Sequence, residues 1–168
     1  DKVFSTGYLM AEEIEKYANK EIKVIPFGID TDKFKSMKNT VHREAGITIG
    51  IVKSLEPTYG IKHLLEAVSI LRYKHGVSKI KLLIVGSGTL EEELRRTAKS
   101  LLISDLTEFA GRISYEDIPV VHNRMDIEVY PSLNESFGVS VIEAFACENP
   151  VVASDVVGFR EIIDDDVT

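Results

Sequence analysis

The chain is expected to fold as one α/β domain, an open parallel sheet with helices on both faces, and three observations carry that expectation. Short, continuous apolar runs recur along it, the pattern of strands covered on both sides. Segments with helical spacing of apolar residues alternate with those runs, as βαβ units require. The 168 residues, 44% hydrophobic and 28% charged, have the make-up of one globular domain whose core needs no metal or disulfide.

The elements follow in order. Residues 23–26 (KVIP) read as a short strand, followed by the turn-rich linker FGIDTDKFK. Residues 47–55 (ITIGIVKSL) read as a buried strand. Ile61, Leu64, Leu65, Val68 and Leu71 then share one helical face, and the helix ends at Gly76. Residues 80–86 (IKLLIVG) form a second buried strand closed by Gly86-Ser87-Gly88. Thr89 and Glu92 have capping-box spacing for a helix that buries Leu90, Leu94, Ala98 and Leu101. LTEFAG is a third strand. Residues 114–117 are a capping turn before a short helix over 119–122. DIEVYP is a fourth strand, residues 138–147 a helix and PVVAS a fifth strand, and a last helix starts near Gly158 and is cut by the chain end at Thr168.

A net charge of -7 argues against a nucleic-acid partner, although Lys33, Lys35 and Lys38 form a local basic patch. The single cysteine, Cys147, sits in an apolar run and reads as a small core residue of a reducing compartment. No apolar stretch reaches the length of a spanning helix, and the chain opens with Asp1-Lys2. It therefore reads as a fragment, with the cytoplasm as its default compartment. His42, His63, His75 and His122 lack metal-ligand spacing and read as surface or helix-face residues. Glu91, Glu92 and Glu93 suit the start of a helix, and residues 164–166 (DDD) read as an exposed loop rather than a metal site.

Ligands of open α/β sheets bind at the carboxyl ends of the strands, where strand order reverses. Three turns leaving those ends carry chemistry: residues 53–60, 86–89 and 131–138. The last opens the stretch PSLNESFGVSVIEAFACENPVVASD, in which Glu135 and Glu143 stand eight residues apart. Glu135 falls in the loop before a helix, and Glu143 lies over one turn into it, on a helix apolar nearly all round. The N–H groups of Phe137, Gly138 and Val139 are the open donors of that helix start, a natural seat for an anion. A ligand joining a phosphate to a polyol suits the set. A competing reading stands beside it: Glu135 caps its own helix, and Glu143 pairs with an internal arginine or a backbone donor. Gly86-Ser87-Gly88 lacks the third glycine of a dinucleotide fingerprint, Glu91 standing there, and reads as a tight turn bordering the crevice.

The stretch PSLNESFGVSVIEAFACENPVVASDVVGFREII closely resembles the glutamate-x7-glutamate signature of retaining, GT-B-fold glycosyltransferases of family 4. The resemblance runs back through VIPFGIDTDKF, GIKHLLEAVSIL, LLIVGSGTLEEEL and FAGRISYEDIP, collinear over about residues 20–165. It implies the Rossmann-like C-terminal half of such an enzyme, truncated at its end, over residues 21–168, with residues 1–20 the tail of an N-terminal domain. It further implies a nucleotide diphosphate sugar as donor substrate, transfer with retention, and no metal or other cofactor. By position, Glu135 would contact the donor sugar and Glu143 both ribose hydroxyls. Phe137, Gly138 and Val139 would serve the sugar and diphosphate through their N–H groups, and Arg112 and Ile113 would read the base edge by their main chain. The family pattern places an arginine and a lysine where this chain has Ser54 and Tyr59, so Lys53 either takes over the diphosphate charge or is a solvated charge at a strand end. The acceptor, a glycan or lipid-linked glycan of surface polysaccharide or glycolipid synthesis, would bind through the absent N-terminal domain, as would any contact with the inner membrane face. On this reading the isolated chain binds nucleotide without turnover, and absent final helices leave apolar surface exposed. Other readings are a non-catalytic nucleotide-sugar binding or regulatory module, a related epimerase, and a nicotinamide-dependent dehydrogenase domain.

Overall fold

A computed structural model describes residues 2–37 and 46–164. Lys38, His42, Asp165 and Asp166 lie outside the described residues. The element order is β1 (Val3–Ser5), α1 (Tyr8–Glu15), β2 (Ile22–Val24), β3 (Ile47–Val52), α2 (Ile61–Tyr73), β4 (Ile80–Val85), α3 (Glu91–Ser100), β5 (Thr107–Gly111), α4 (Ile118–Asn123), β6 (Ile127–Tyr130), α5 (Val139–Ala146), β7 (Val151–Ala153) and α6 (Val157–Arg160).

Strands β5-β4-β3-β6-β7 form one parallel sheet in that order. The chain leaves β3 toward β4 on one side and later returns to place β6 on the other, so strand order reverses between β3 and β6. Alternate side chains of β4 go to opposite faces. Leu82 and Ile84 join Ile49, Ile51, Leu64, Leu65, Leu94 and Ala98 in the core beneath α2 and α3. Leu83 and Val85 join Ile118, Val121, Met125 and Cys147 on the other face. Both faces are covered, which is why these strands are continuously apolar.

Helix α2 buries Ile61, Leu64, Leu65 and Val68, with Leu71 partly buried against them, and Gly76 takes a left-handed φ of 68° just beyond it. Helix α3 buries Leu94 and Ala98 and carries three glutamates in its first turn, where the helix dipole favours them. The capping box expected of Thr89 and Glu92 does not form. Thr89 instead gives its N–H (2.9 Å) and hydroxyl (2.5 Å) to Glu56, whose carboxylate the loop after β3 brings to the start of α3. Ser114 and Asp117 do close the turn before α4, with Ser114 Oγ 2.7 Å from the Asp117 carboxylate. His63, His75 and Asp164 are exposed, as expected, and Lys33 of the basic patch is engaged by Glu116 at 2.6 Å.

The first twenty residues carry structure that hydropathy patterning leaves unread. β1 pairs in parallel with β2, Val3 opposite Ile22, and α1 crosses between them. The three-residue β1 and the two-turn α1 are shorter than the windows over which periodicity speaks, whereas β2 is the strand expected at residues 23–26, starting one residue earlier. The Glu161 carboxylate, one residue past α6, accepts from the N–H groups of Tyr8 (2.7 Å) and Leu9 (2.8 Å), fixing the start of α1 to the end of α6.

Candidate functional site

The crevice opens at the carboxyl ends of β3 and β6, the switch point of the sheet. The loops leaving these strands are stitched together by the Leu133 N–H bond to Thr58 carbonyl (2.8 Å). The loop after β4 closes in from the side: Lys53 N–H bonds Val85 carbonyl and Leu55 N–H bonds Ser87 carbonyl. Lys53, Ser54, Gly86, Arg112 and Ile113 line one cleft of about 280 Å³, together with Tyr59. The structure therefore brings together five of the residues singled out from scattered loops.

Lys53 is not a solvated charge. Its Nζ lies 2.5 Å from Glu135 Oε2, and the two side chains are only 12% and 8% exposed. The ammonium also stands 4.4 Å from the centre of the Tyr59 ring. Tyr59, the residue at the position of the family lysine, thus helps hold a lysine that comes from another position. Glu135 does not cap α5 either. Its second oxygen accepts from the N–H of Ser136 at 3.2 Å, three residues before the helix, and its carbonyl accepts from Gly158 N–H at 3.1 Å, which ties the loop to α6.

Gly138 forms the N-cap of α5 with φ 97°, a left-handed value, and a Cβ there would press on the rings and methyl of Phe159 and Ile162. No side chain caps the helix. Among the described residues nothing accepts from the N–H groups of Phe137, Gly138 or Val139, so the anion seat is open. Phe137 is buried, its ring edge-on to Phe27 at 5.4 Å. A larger cavity of about 730 Å³ lies beside Glu135, between the loop after β6 and α1.

Glu143 is buried, and it meets neither an arginine nor a backbone donor. Its Oε2 lies 3.5 Å from His122 Nε2. His122, expected at a surface or on a helix face, is fully buried on α4. Its Nδ1 sits 2.7 Å from Glu128 Oε1. Glu128 also accepts from the Tyr130 hydroxyl (2.6 Å) and Asn149 Nδ2 (2.8 Å). Burial works against the charged imidazole, but the Glu128 and Glu143 carboxylates outweigh it and raise the His122 pKa from 6.5 to about 9. Burial, then the charge of Glu128, pushes the Tyr130 hydroxyl well above its ordinary value. Burial likewise takes the Cys147 thiol up to about 12, so this cysteine is an inert core residue.

These groups escaped the sequence reading. The available signal was Glu128 itself, a carboxylate in the middle of an apolar strand and two residues from Tyr130, hence on the same face. The His122 shift has a consequence for stability. A raised folded-state pKa stabilises the fold fully below about pH 6.5 and loses that contribution as pH rises through about 9. Thermal melts are expected to fall across that window, and less so in His122→Gln.

Among the described residues no group of three or more His, Cys, Asp or Glu side chains is arranged to hold a metal ion. No helix there is long and apolar enough to cross a membrane.

The family model described as glycosyl transferases group 1 matches residues 32–168. D-inositol 3-phosphate glycosyltransferase of Corynebacterium jeikeium is 34% identical over 157 residues, which cover 85% of this chain and 38% of that protein. A TarM variant of S. aureus, solved with fondaparinux, alpha-GlcNAc-glycerol and UDP, superposes with a TM-score of 0.83 at 21% identity, covering 98% of this chain and 32% of its own. HepE of Anabaena, solved with UDP and glucose, gives 0.80 at 21% identity, covering 97% and 47%. The chain thus spans less than half the length of each of these relatives.

Proposed function

The chain belongs to the glycosyl transferases group 1 family and has the fold of the C-terminal GT-B domain of such an enzyme, and from that premise we propose that its crevice binds a nucleotide diphosphate sugar. The observation that carries the proposal is the Lys53–Glu135 pair at the switch point, beside the uncapped start of α5, the helix that bears Glu143 one turn further on. The diphosphate sits on the N–H groups of Phe137, Gly138 and Val139, with Lys53 alongside. Glu143 accepts from the ribose hydroxyls, Arg112 and Ile113 border the base, and Glu135 faces the sugar hydroxyls at the reacting end. Ser54 and Gly86 form the cleft wall.

In the whole protein the proposed reaction is retaining and metal-independent. The bond from the anomeric carbon to the diphosphate breaks as the acceptor oxygen bonds to the same face, and the acceptor proton passes to the departing phosphate oxygen. Helix donors and Lys53 stabilise the negative charge that develops there. The acceptor is a glycan or lipid-linked glycan in surface polysaccharide or glycolipid synthesis. A second reading, a non-catalytic nucleotide-sugar binding module, is favoured by the fact that Lys53 is already engaged by Glu135. Turnover by the full-length enzyme separates the two.

Calorimetric titration with UDP, GDP, ADP and NAD, beside a Glu143→Ala variant, tests the site. One nucleoside diphosphate is expected to bind, and the variant to lose about 1.5–3 kcal/mol of affinity, the worth of hydrogen bonds to a charged group. Binding of NAD alone, or binding indifferent to Glu143, would defeat the proposal.

A further inference from the structure

The two carboxylates that flank His122 are unequal. Glu128 is saturated, with His122 Nδ1, the Tyr130 hydroxyl and Asn149 Nδ2 all within 2.8 Å. Glu143 has the 3.5 Å approach of His122 Nε2, longer than a good hydrogen bond, and 7% of its side chain stays exposed. The His122 Nε2 atom in turn has no hydrogen-bond partner among the described residues. A buried carboxylate so poorly served is costly unless something else donates to it.

We infer that His122, clamped between Glu128 and Glu143, is a positioning residue that aims the Glu143 carboxylate at the vicinal hydroxyls of a ribose. The inference rests on the reading of Glu143 as the ribose acceptor. Glu128, Tyr130 and Asn149 fix the imidazole ring from behind, and the ring fixes one oxygen of Glu143 from the side. The other oxygen and the remaining lone pairs stay available to a diol. The geometry calls for a doubly protonated ring, because with Nδ1–H donating to Glu128 a neutral imidazole would turn a bare lone pair on the Glu143 carboxylate. Two carboxylates against one imidazolium leave one negative charge in the cluster, which two donated hydroxyls would offset.

The charged and aromatic groups facing the ring come from several elements. β6 contributes Glu128, which also holds the Tyr130 hydroxyl, α5 contributes Glu143, Asn149 before β7 donates to the His122 carbonyl, and the Phe34 ring lies 6.0 Å away, edge-on. No second cation among them replaces the imidazolium. Diol binding therefore depends on a proton held up to about pH 9.

The test uses the 168-residue chain with UDP, GDP and ADP, each beside its 2′,3′-dideoxy counterpart, titrated by calorimetry near pH 7 and above pH 9. The diphosphate that binds is expected to do so about tenfold more tightly than its dideoxy form near neutrality, with the ratio falling toward one at the higher pH. His122→Gln is expected to bring the ratio near one already at neutral pH while lowering dideoxy affinity much less than parent affinity, a split that a damaged fold does not give. Imidazole NMR of the wild-type chain is expected to show His122 protonated above pH 8, and Glu143→Gln to bring its titration down. A ribose preference untouched by pH and by His122→Gln, or a His122 that titrates near its ordinary value, overturns the inference. If binding still depends on Glu143, the nucleotide site survives that result. Failure of all three diphosphates to bind overturns both.

Discussion

Replacing Lys53 with methionine is expected to destabilise the chain by about 3–5 kcal/mol and to weaken nucleoside diphosphate binding at the same time. Glu135 keeps only 8% of its side chain exposed, and Lys53 is its cation. Removing the cation leaves the carboxylate with one backbone donor, Ser136 N–H, which does not balance a charge so little exposed. Methionine preserves the length of the stem over the Tyr59 ring, so lost packing does not dominate the change. The companion variant Glu135→Gln separates the two effects. It keeps the volume and an acceptor for Lys53, so its stability cost is expected to be smaller. It also releases the ammonium, and nucleoside diphosphate binding is expected to hold or strengthen. Turnover by the full-length enzyme is nevertheless expected to fall, because Glu135 faces the donor sugar in the proposed site. Urea unfolding gives the stabilities and calorimetry the affinities. Equal midpoints for Lys53→Met and the wild-type chain would show that the pair is a solvated surface contact.

The unequal legibility of this protein follows from sequence distance. Strands such as β4 announce themselves, since Leu82, Leu83, Ile84 and Val85 are four consecutive apolar residues, buried on alternate faces of a sheet covered on both sides. The switch-point loops were equally plain, because polar residues follow each strand directly. What stayed hidden is what those polar residues touch. Lys53 and Glu135 lie 82 positions apart, and their pairing depends on β3 and β6 being neighbours, a fact of topology rather than of local pattern. His122 was unreadable for a related reason. A histidine on a short helix beside Val120 and Val121 does not disclose that its ring reaches two carboxylates from different elements. Thr89 shows the same limit on a smaller scale, its local spacing to Glu92 being overruled by Glu56 from another loop. The family pattern points to Glu143, while the imidazole 3.5 Å from its carboxylate belongs to a residue that pattern does not mention.

Gly86→Ala is expected to be the most damaging single-atom addition in the cleft, with a cost of about 3 kcal/mol or more. Gly86 has φ 136°, outside the region open to residues with a side chain. A Cβ built there would fall on the carbonyl oxygen and carbon of Lys53, which are backbone atoms and have no rotamer to change. Those atoms belong to the segment whose N–H is bonded to Val85 carbonyl, and Gly86 N–H is itself bonded to Gly111 carbonyl at 2.8 Å. The added carbon therefore has to push β3 and β4 apart at their carboxyl ends or twist the turn out of its hydrogen bonds. Either response moves the root of Lys53. The variant should consequently lose nucleoside diphosphate affinity without touching the nucleotide itself, and the loss should persist at temperatures where the chain is still fully folded. A second substitution supplies the control: Gly76→Ala also places a side chain at a left-handed glycine, φ 68°, but nothing lies within 4 Å of the new carbon. Its cost should be limited to backbone strain, about 1–2 kcal/mol, with nucleotide affinity intact. If the two variants destabilised equally and bound alike, the close approach of the two loops would have no part in holding Lys53. The position of that ammonium would then have to be set by Glu135 and Tyr59 alone.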